Sequence, residues 1–421
     1  MTPLRIAIAG LGTVGVGVFT MLQSRKDFKV TAVSARNKSK NRNLDLSAVT
    51  WVDNPVDLAE RDDVDVVVEV MGGDGDPALS LVKVALTAGK SVVTANKALI
   101  AHHGMDLARL AEQNGAALHY EAAVAGGIPI IKMLREGLAA NEMKAIYAIL
   151  NGTCNYILTT MERTGQNFAD VLSEAQKLGY AEADPTLDVD GGDTGHKTAI
   201  LTALAFGCQP NFKNLSVTGI RSVTAEDIQA ADELGYRIKL IGQSLKRSDG
   251  RILQMVSPTL VPKSSPMAHV SGVMNGILTD ADPVGQSFVS GRGAGSGPTA
   301  SAIMADLIDV SRGQTLLPFS CPVAQLSPLA NLTLADWQGE FYLRLVVKDK
   351  AGVIADIAPI LRDAHISIES LIQHGRSSEQ PVSVIITTHG TNGRDILSAA
   401  HEIAKLDSVM ADPLVMPILK I

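Results

Sequence analysis

The sequence predicts an α/β protein in three parts: a doubly wound parallel sheet, an α+β domain, and a compact C-terminal unit of order βαββαβ. Three observations carry this. Over the first 130 residues short apolar runs alternate with helical stretches, the pattern of βαβ units and a parallel sheet. Directly after the first apolar run, Gly10, Gly12 and Gly15 stand at the G-x-G-x-x-G spacing. From about residue 340 two helical stretches are interleaved with four strand-like runs.

Composition narrows the function classes. A chain of 421 residues is long enough for two or three domains. An apolar fraction of 46% with 19% charged residues fits a soluble globular protein. The net charge of −7 and the lack of a long basic run argue against a nucleic-acid partner, and no apolar run is long enough to span a bilayer. Cys154, Cys208 and Cys321 are widely spaced and make neither a metal pattern nor a disulfide framework, which fits a reducing cytoplasm. The start, MTPLRIAIAG, enters a strand at once without a signal-peptide pattern.

Leu4 to Ala9 is the first strand, and GLGTVG then opens a helix. Strand, glycine turn and helix are the setting of the Rossmann-type dinucleotide fingerprint. Gly10 allows a tight turn, Gly12 lets the backbone approach a pyrophosphate, and Gly15 lets helix and strand pack closely. Thr13 and Val14 offer N–H groups at the helix start, where an anion is favoured. The second strand, about Lys29 to Val33, is followed by SARNKSKNR, with Arg36, Lys38, Lys40 and Arg42 and no acid. An NAD site usually has an acid there for the ribose hydroxyl, so this loop suits the 2′-phosphate of NADP, or is a solvated basic loop. A buried strand, Asp65 to Val70, a helix in PALSLVKVALTAGK and a strand in SVVTANK follow. Thr94, Asn96 and Lys97 then stand at a strand's carboxyl end, where such sheets bind ligands. His102 and His103 read as helix-surface residues, and Ala116 to Glu121 as a further strand leading into AAVAGGIPI.

Beyond residue 130 a strand enters the NGT turn and a helix, MKAIYAILNGTCNYIL, and an amphipathic helix, FADVLSEAQKLGY, comes next. Residues 182 to 197, EADPTLDVDGGDTGHK, carry five acids, Glu182, Asp184, Asp188, Asp190 and Asp193, and one lysine, Lys197. Pro185, Gly191 and Gly192 predict a loop in the first half, and the apolar run TAILTALAFG predicts a buried helix after it. Asp193 stands at that helix's start, favoured by its dipole, and Lys197 lies four residues on, on the same face. An acid and an amine so placed suit proton transfer on a small polar substrate, or are an N-cap and an ordinary salt bridge. Long strands, about Tyr236 to Leu245 and Ile252 to Val261, are joined by the turn KRSDG. GRGAGSGPTASAIMADLIDVSRG, residues 291 to 313, is a second glycine turn feeding a helix, and Pro318, Pro322 and Pro328 mark a linker.

From Ala175 the chain reads AQKLGYAEADPTLDVDGGDTGHK, which is similar to the signature of homoserine dehydrogenases: an alanine, a glycine–aromatic pair, Asp-Pro, and D-V-x-G-x-D-x-x-x-K. Asp188, Gly191, Asp193 and Lys197 fall in register, and VTANK and AAVAGGIPI resemble the same family. The resemblance implies NAD(P)-dependent interconversion of L-homoserine and L-aspartate 4-semialdehyde, in the biosynthesis of threonine, methionine and isoleucine. It implies that Glu182 binds the substrate amino group, that Asp188 belongs to the substrate site, and that Asp193 and Lys197 hold the reacting oxygen and its proton. Lys97 then contacts cofactor and substrate, and Gly295 touches the cofactor. It further implies a monovalent cation, often sodium, held by the Glu121 side chain and the carbonyls of Val124, Gly126 and Ile128; a glycine-rich turn can direct several carbonyls at one hard cation. DKAGVIADIAPILRDAHISIES resembles an ACT domain, which implies subunit pairing as a homodimer or homotetramer and an amino-acid effector near the turn holding Gly352, with L-threonine the metabolically sensible one.

The expected organisation is a dinucleotide-binding domain at 1–130 plus about 296–315, a substrate and dimerisation domain at 131–295, a linker at 316–339, and an ACT domain at 340–421. Two rivals stand beside it: a phosphorylating semialdehyde dehydrogenase using Cys154 covalently, and a non-catalytic amino-acid sensor.

Overall fold

The computed structural model describes residues 2–330, 332–374 and 381–421. The chain forms two compact units: Met1–Ile146, His196–Asn214 and Thr279–Leu329 make the first, and Tyr147–Gly195, Leu215–Leu278 and Ala330–Ile421 the second. Among the described residues no helix is long and apolar enough to cross a membrane.

In the first unit six parallel strands, β1 (Leu4–Ala9), β2 (Phe28–Ser34), β3 (Thr50–Trp51), β4 (Val66–Glu69), β5 (Ser91–Thr94) and β6 (Leu118–His119), take the order β3-β2-β1-β4-β5-β6. The winding reverses between β1 and β4, and ligands of such sheets bind at that crevice, beyond the carboxyl ends of the strands. Ile6 to Ala9 and Val66 to Val68 are buried on both faces, which is why these strands read as unbroken apolar runs. Helix α1 (Thr13–Gln23) buries Gly15, Val18, Phe19 and Leu22, one face at helical spacing. That face joins one core with Ala300, Ile303, Met304 and Leu307 of the helix Ser296–Ser311. Helices α2 (Ala78–Thr87) and α3 (Lys97–Asn114) complete the alternation.

Three local expectations change. The strand in SVVTANK stops at Thr94, because the Asn96 side chain accepts the Leu99 N–H at 3.0 Å and caps α3, making Lys97 its first residue. The strand expected over Ala116 to Glu121 shrinks to Leu118–His119, because Glu121 already begins a 3₁₀ turn. The proline-bearing segment is no free tether up to Leu329: Phe319 is buried beside Tyr120, with ring centroids 6.0 Å apart, and the Tyr120 hydroxyl donates to the Pro318 carbonyl.

In the second unit Tyr236–Lys246 and Ile252–Pro262 form the expected antiparallel hairpin, in unbroken register from Ile252 opposite Lys246 to Pro262 opposite Tyr236. Lys239 is buried there; its ammonium donates to the Val270 carbonyl at 2.7 Å and to Asn155 Oδ1 at 3.2 Å, and burial pushes it down to about 8. The long C-terminal strands are Gln338–Val347, Ile368–Gln373, Val382–Thr388 and Val409–Ile418, with helices Val353–Asp363 and Gly393–Ile403 between them. They are antiparallel, in the spatial order fourth, first, third, second. Gly375, which ends the strand-like run ISIESLIQHG, lies outside the described residues. This sheet continues into the hairpin: Leu260 pairs in parallel with Ile418, and the Leu419 N–H reaches the Leu260 carbonyl at 2.9 Å. Asp227, fully buried in the capping box of the helix Ala225–Glu233, also accepts the Tyr342 hydroxyl at 2.8 Å and pairs with Arg344 at 3.0 Å.

Candidate active site

The glycine turn has the geometry a dinucleotide needs. Gly10 has φ +105°, and a Cβ there would sit 2.7 Å from the Val70 carbonyl oxygen. A Cβ on Gly15 would sit 1.9 Å from the Gly10 carbonyl oxygen, so only glycine lets α1 approach β1 this closely. A Cβ on Gly12 would meet nothing within 4 Å; the space before it is open. The α1 N–H groups at Thr13 and Val14 begin the helix at that opening.

A cavity of about 780 Å³ runs from Gly10 and Gly12 to Arg36, Lys38, Lys40 and Arg42. Arg42 is spent on the loop itself: its guanidinium donates to the carbonyls of Leu11, Lys40 and Asn37 at 3.0, 2.8 and 2.7 Å. Arg36 and Lys38 are exposed and line the cavity. The wall also carries Asp53 and Asp76, acids that the segment after β2 does not contain.

A second pocket, of about 300 Å³, brings Lys97 and Lys197 together with Val14, Gly72, Ala125, Gly295 and Thr299. Lys197 is 8% exposed. Lys97 is placed by a network that sequence reasoning missed. Glu69, fully buried at the end of β4, accepts the N–H groups of Met71 and Gly72 and the Thr94 hydroxyl at 2.8, 3.3 and 2.5 Å. Asn96 Nδ2 then donates to the Gly73 carbonyl at 2.6 Å. Thr94 is therefore a buried brace beneath the pocket, its hydroxyl turned onto Glu69, whose carboxyl burial pushes upward. His102 is exposed on its helix, as expected, and its Nε2 lies 3.2 Å from His196 Nε2, with both rings against Phe212.

The AAVAGG turn is constrained. Ala125 has φ +51°, strain of the kind that persists at ligand-binding turns. A Cβ on Gly127 would sit 2.5 Å from the Arg292 carbonyl oxygen, and one on Gly126 3.1 Å from Thr299 Oγ1, so the 291–295 loop seats tightly on it. Glu121 is buried; its carboxylate accepts the N–H groups of Ile131 and Lys132, each at 2.9 Å. Burial first, and Asp306 next, push it up to about 7.

The acidic stretch is less irregular than expected. Thr186–Val189 forms one helical turn, and the following helix, Gly192–Phe206, starts one residue before Asp193. Asp193 is buried in its first turn, with Lys197 one turn further along. The acids divide by partner. Asp190 pairs with Arg221, Asp184 accepts the Thr186 N–H at 3.1 Å, and Glu182 is exposed, only its backbone carbonyl taking Gln176 Nε2 at 3.0 Å. Asp188 and Asp193 are brought together by Asn151, whose Nδ2 donates to one oxygen of each at 2.7 and 2.8 Å. Cys154 is fully buried with its thiol on the Asp188 carbonyl at 3.2 Å, against the covalent reading, since a nucleophilic thiol needs access and an activating charge.

Comparison with known proteins agrees with this architecture. Residues 10–121 match the family described as "Homoserine dehydrogenase, NAD binding domain", 129–308 match "Homoserine dehydrogenase", and 341–408 match "ACT domain". The chain is 43% identical to the homoserine dehydrogenase of Neisseria gonorrhoeae over 97% of both chains. It is similar to a solved homoserine dehydrogenase from Thiobacillus denitrificans, with TM-score 0.92 and 40% identity over 99% of this chain and 98% of that one. A hyperthermophilic archaeal homoserine dehydrogenase in complex with NADPH matches at TM-score 0.65 and 29% identity, over 75% of this chain and 99% of that one. The glycine turn, the two lysines on one pocket and the acidic stretch before the Lys197 helix are thus found in a sequence that matches along nearly its whole length: the chain belongs to the homoserine dehydrogenase family.

Proposed function

We propose that this enzyme interconverts L-homoserine and L-aspartate 4-semialdehyde, with NADP as the favoured coenzyme and Lys197 as the proton-transfer group. The observation that carries it is the meeting of Lys97 and Lys197 on one pocket with Val14 and Gly295, beside the open face of the glycine turn. The open Gly12 and the basic cavity wall fit a dinucleotide, which when bound supplies or accepts the hydride. In aldehyde reduction, hydride adds to the carbonyl carbon, the C=O electron pair moves to oxygen, and the Lys197 ammonium delivers a proton to that oxygen. In oxidation the neutral amine takes the hydroxyl proton back. Lys97 adds a second positive charge where oxygen becomes negative. Asp193, one turn before Lys197, orients the substrate oxygen; Asp188 and Glu182 bind the substrate, with Glu182 on its ammonium. The test is turnover of homoserine with each coenzyme; no turnover with either would leave a sensor without catalysis.

Arg36 and Lys38 are assigned to the 2′-phosphate, by bidentate charge-assisted bonding in the case of Arg36. Arg36→Ala is expected to weaken NADPH by about 10- to 100-fold, the size of a lost charged hydrogen bond, and NADH by less than about twofold. Fluorescence titration of both coenzymes measures this, and equal losses would reject it.

A monovalent cation, sodium by resemblance, is assigned to Glu121 with the carbonyls of Val124, Gly126 and Ile128. The buried, raised Glu121 carboxyl is a site at which a cation would offset desolvation. Equal melting temperatures in sodium and tetramethylammonium chloride would remove this assignment.

The ACT domain is assigned L-threonine as effector. A cavity of about 190 Å³ is lined by Asp349, Gly352, Val353 and Gln373 at the start of the helix Val353–Asp363, where a carboxylate is favoured. Threonine is expected to inhibit intact enzyme, and Gly352→Val, at φ +99°, to abolish inhibition while basal turnover stays. Titration with threonine, isoleucine and methionine decides; a flat response leaves the domain structural. Ile368 and Leu371 stay exposed on the edge strand Ile368–Gln373, which supports pairing with a second copy as a homodimer or homotetramer. Light scattering would show a monomer if that is wrong.

A further inference from the structure

We infer that Asn151 is a positioning residue for the reaction, holding Asp188 and Asp193 as a fixed pair of carboxylates; this rests on the roles proposed above for those two acids. Asn151 follows the strand Glu142–Ile149, caps the helix Gly152–Thr164 and is 5% exposed. Its amide is fully used. Oδ1 accepts the Cys154 N–H at 2.7 Å, while Nδ2 donates to Asp188 Oδ1 at 2.7 Å and to Asp193 Oδ2 at 2.8 Å. The orientation is forced, because a flipped amide would aim its oxygen at two carboxylates and its NH₂ at a backbone N–H.

The bridge has an electrostatic consequence. Both acids lie within hydrogen-bond distance of one nitrogen, so two like charges share one small space. Like charges so close repel each other, and a donor shared by both offsets part of that repulsion. Asp193 is itself buried, so little solvent does this instead. Asp190 adds no third charge to the bridge, since Arg221 pairs with it. The anchoring is rigid, as the same amide is locked to the first turn of a 13-residue helix.

Capping and bridging can be separated, because serine and aspartate cap helices about as well as asparagine. Asn151→Ser keeps a capping oxygen but has no NH₂ for the acids. Asn151→Asp keeps the shape and the cap but replaces the donor by an oxygen. A purely structural role predicts wild-type catalysis in Asn151→Ser. The bridging role predicts a kcat for homoserine oxidation lowered about 10- to 100-fold in Asn151→Ser, the range of a lost positioning group, and lowered further in Asn151→Asp. NADPH affinity and melting temperature are expected to stay near wild type in Asn151→Ser. If it does not fold, the kcat of Asn151→Asp decides. Wild-type kcat in either folded variant overturns the inference. Asp193→Asn run in parallel separates the two levels: wild-type turnover there means the reading of the site is wrong, whereas its collapse beside an unaffected Asn151→Ser means only the bridge is wrong.

Discussion

Lys197→Ala is expected to lower turnover by about 10²- to 10⁴-fold, the usual contribution of a positioned proton-transfer group, with coenzyme affinity staying within a few-fold of wild type. Lys197 is nearly buried on the helix Gly192–Phe206 and shares its pocket with Lys97. Alanine is the best helix former, so the helix itself is not at risk. The glycine turn and α1, proposed above to hold the coenzyme, do not include this side chain. Lys197→Arg refines the test: arginine keeps the positive charge but does not give up its proton, so a loss like that of alanine assigns the lysine to proton transfer rather than charge alone. The measurements are kcat with homoserine and a fluorescence titration with NADPH. Wild-type turnover in Lys197→Ala would show that another group moves the proton.

Gly15→Ala is expected to destabilise the first unit and weaken coenzyme binding together. Its Cβ would lie 1.9 Å from the Gly10 oxygen and 3.3 Å from Val70 Cγ2, and the nearest atom is backbone that cannot rotate away. Helix α1 must shift off β1, at a cost of about 1–3 kcal/mol or more for overpacking, and the N–H groups at Thr13 and Val14 move with it. NADPH affinity is expected to fall by more than about tenfold, roughly the 1.4 kcal/mol that one power of ten represents. Gly12→Ala is the contrasting variant. Its Cβ would enter open space at an ordinary φ of −80°, so the protein without coenzyme melts as wild type and only binding is lost. Melting curves without coenzyme, followed by NADPH titration, separate the two. A wild-type melting temperature in Gly15→Ala would mean that the helix and strand are not held at this distance in solution.

Much of the site was legible because its constraints are local. The three glycines announce a tight turn and a close approach, and both are found where their spacing put them. Asp193 at a helix start and Lys197 one turn on follow from the break at Gly191–Gly192 and the apolar run behind it. The same local logic did not show where the Thr94 hydroxyl goes: position at a strand end suggests a ligand contact, while Glu69, 25 residues away, accepts its hydroxyl. Spacing could not say which of five acids would meet. It could not show that Arg42 serves its own loop while Arg36 and Lys38 line the cavity.

The sequence by itself determined the alternation of strands and helices, the dinucleotide turn, the acidic stretch with its lysine helix, and the βαββαβ end, because periodicity and glycine requirements act within a few residues. Only the tertiary structure decided that Ser296–Ser311 closes the core of α1, that the last strand joins Leu260 to Ile418, and that Tyr342 and Arg344 converge on Asp227. It alone put Asn151 between Asp188 and Asp193, 37 and 42 residues downstream. The physical reason is the same in each case: a buried polar group must find a partner, and the partner it finds is set by which surfaces the fold brings into contact, not by the residues beside it in the chain.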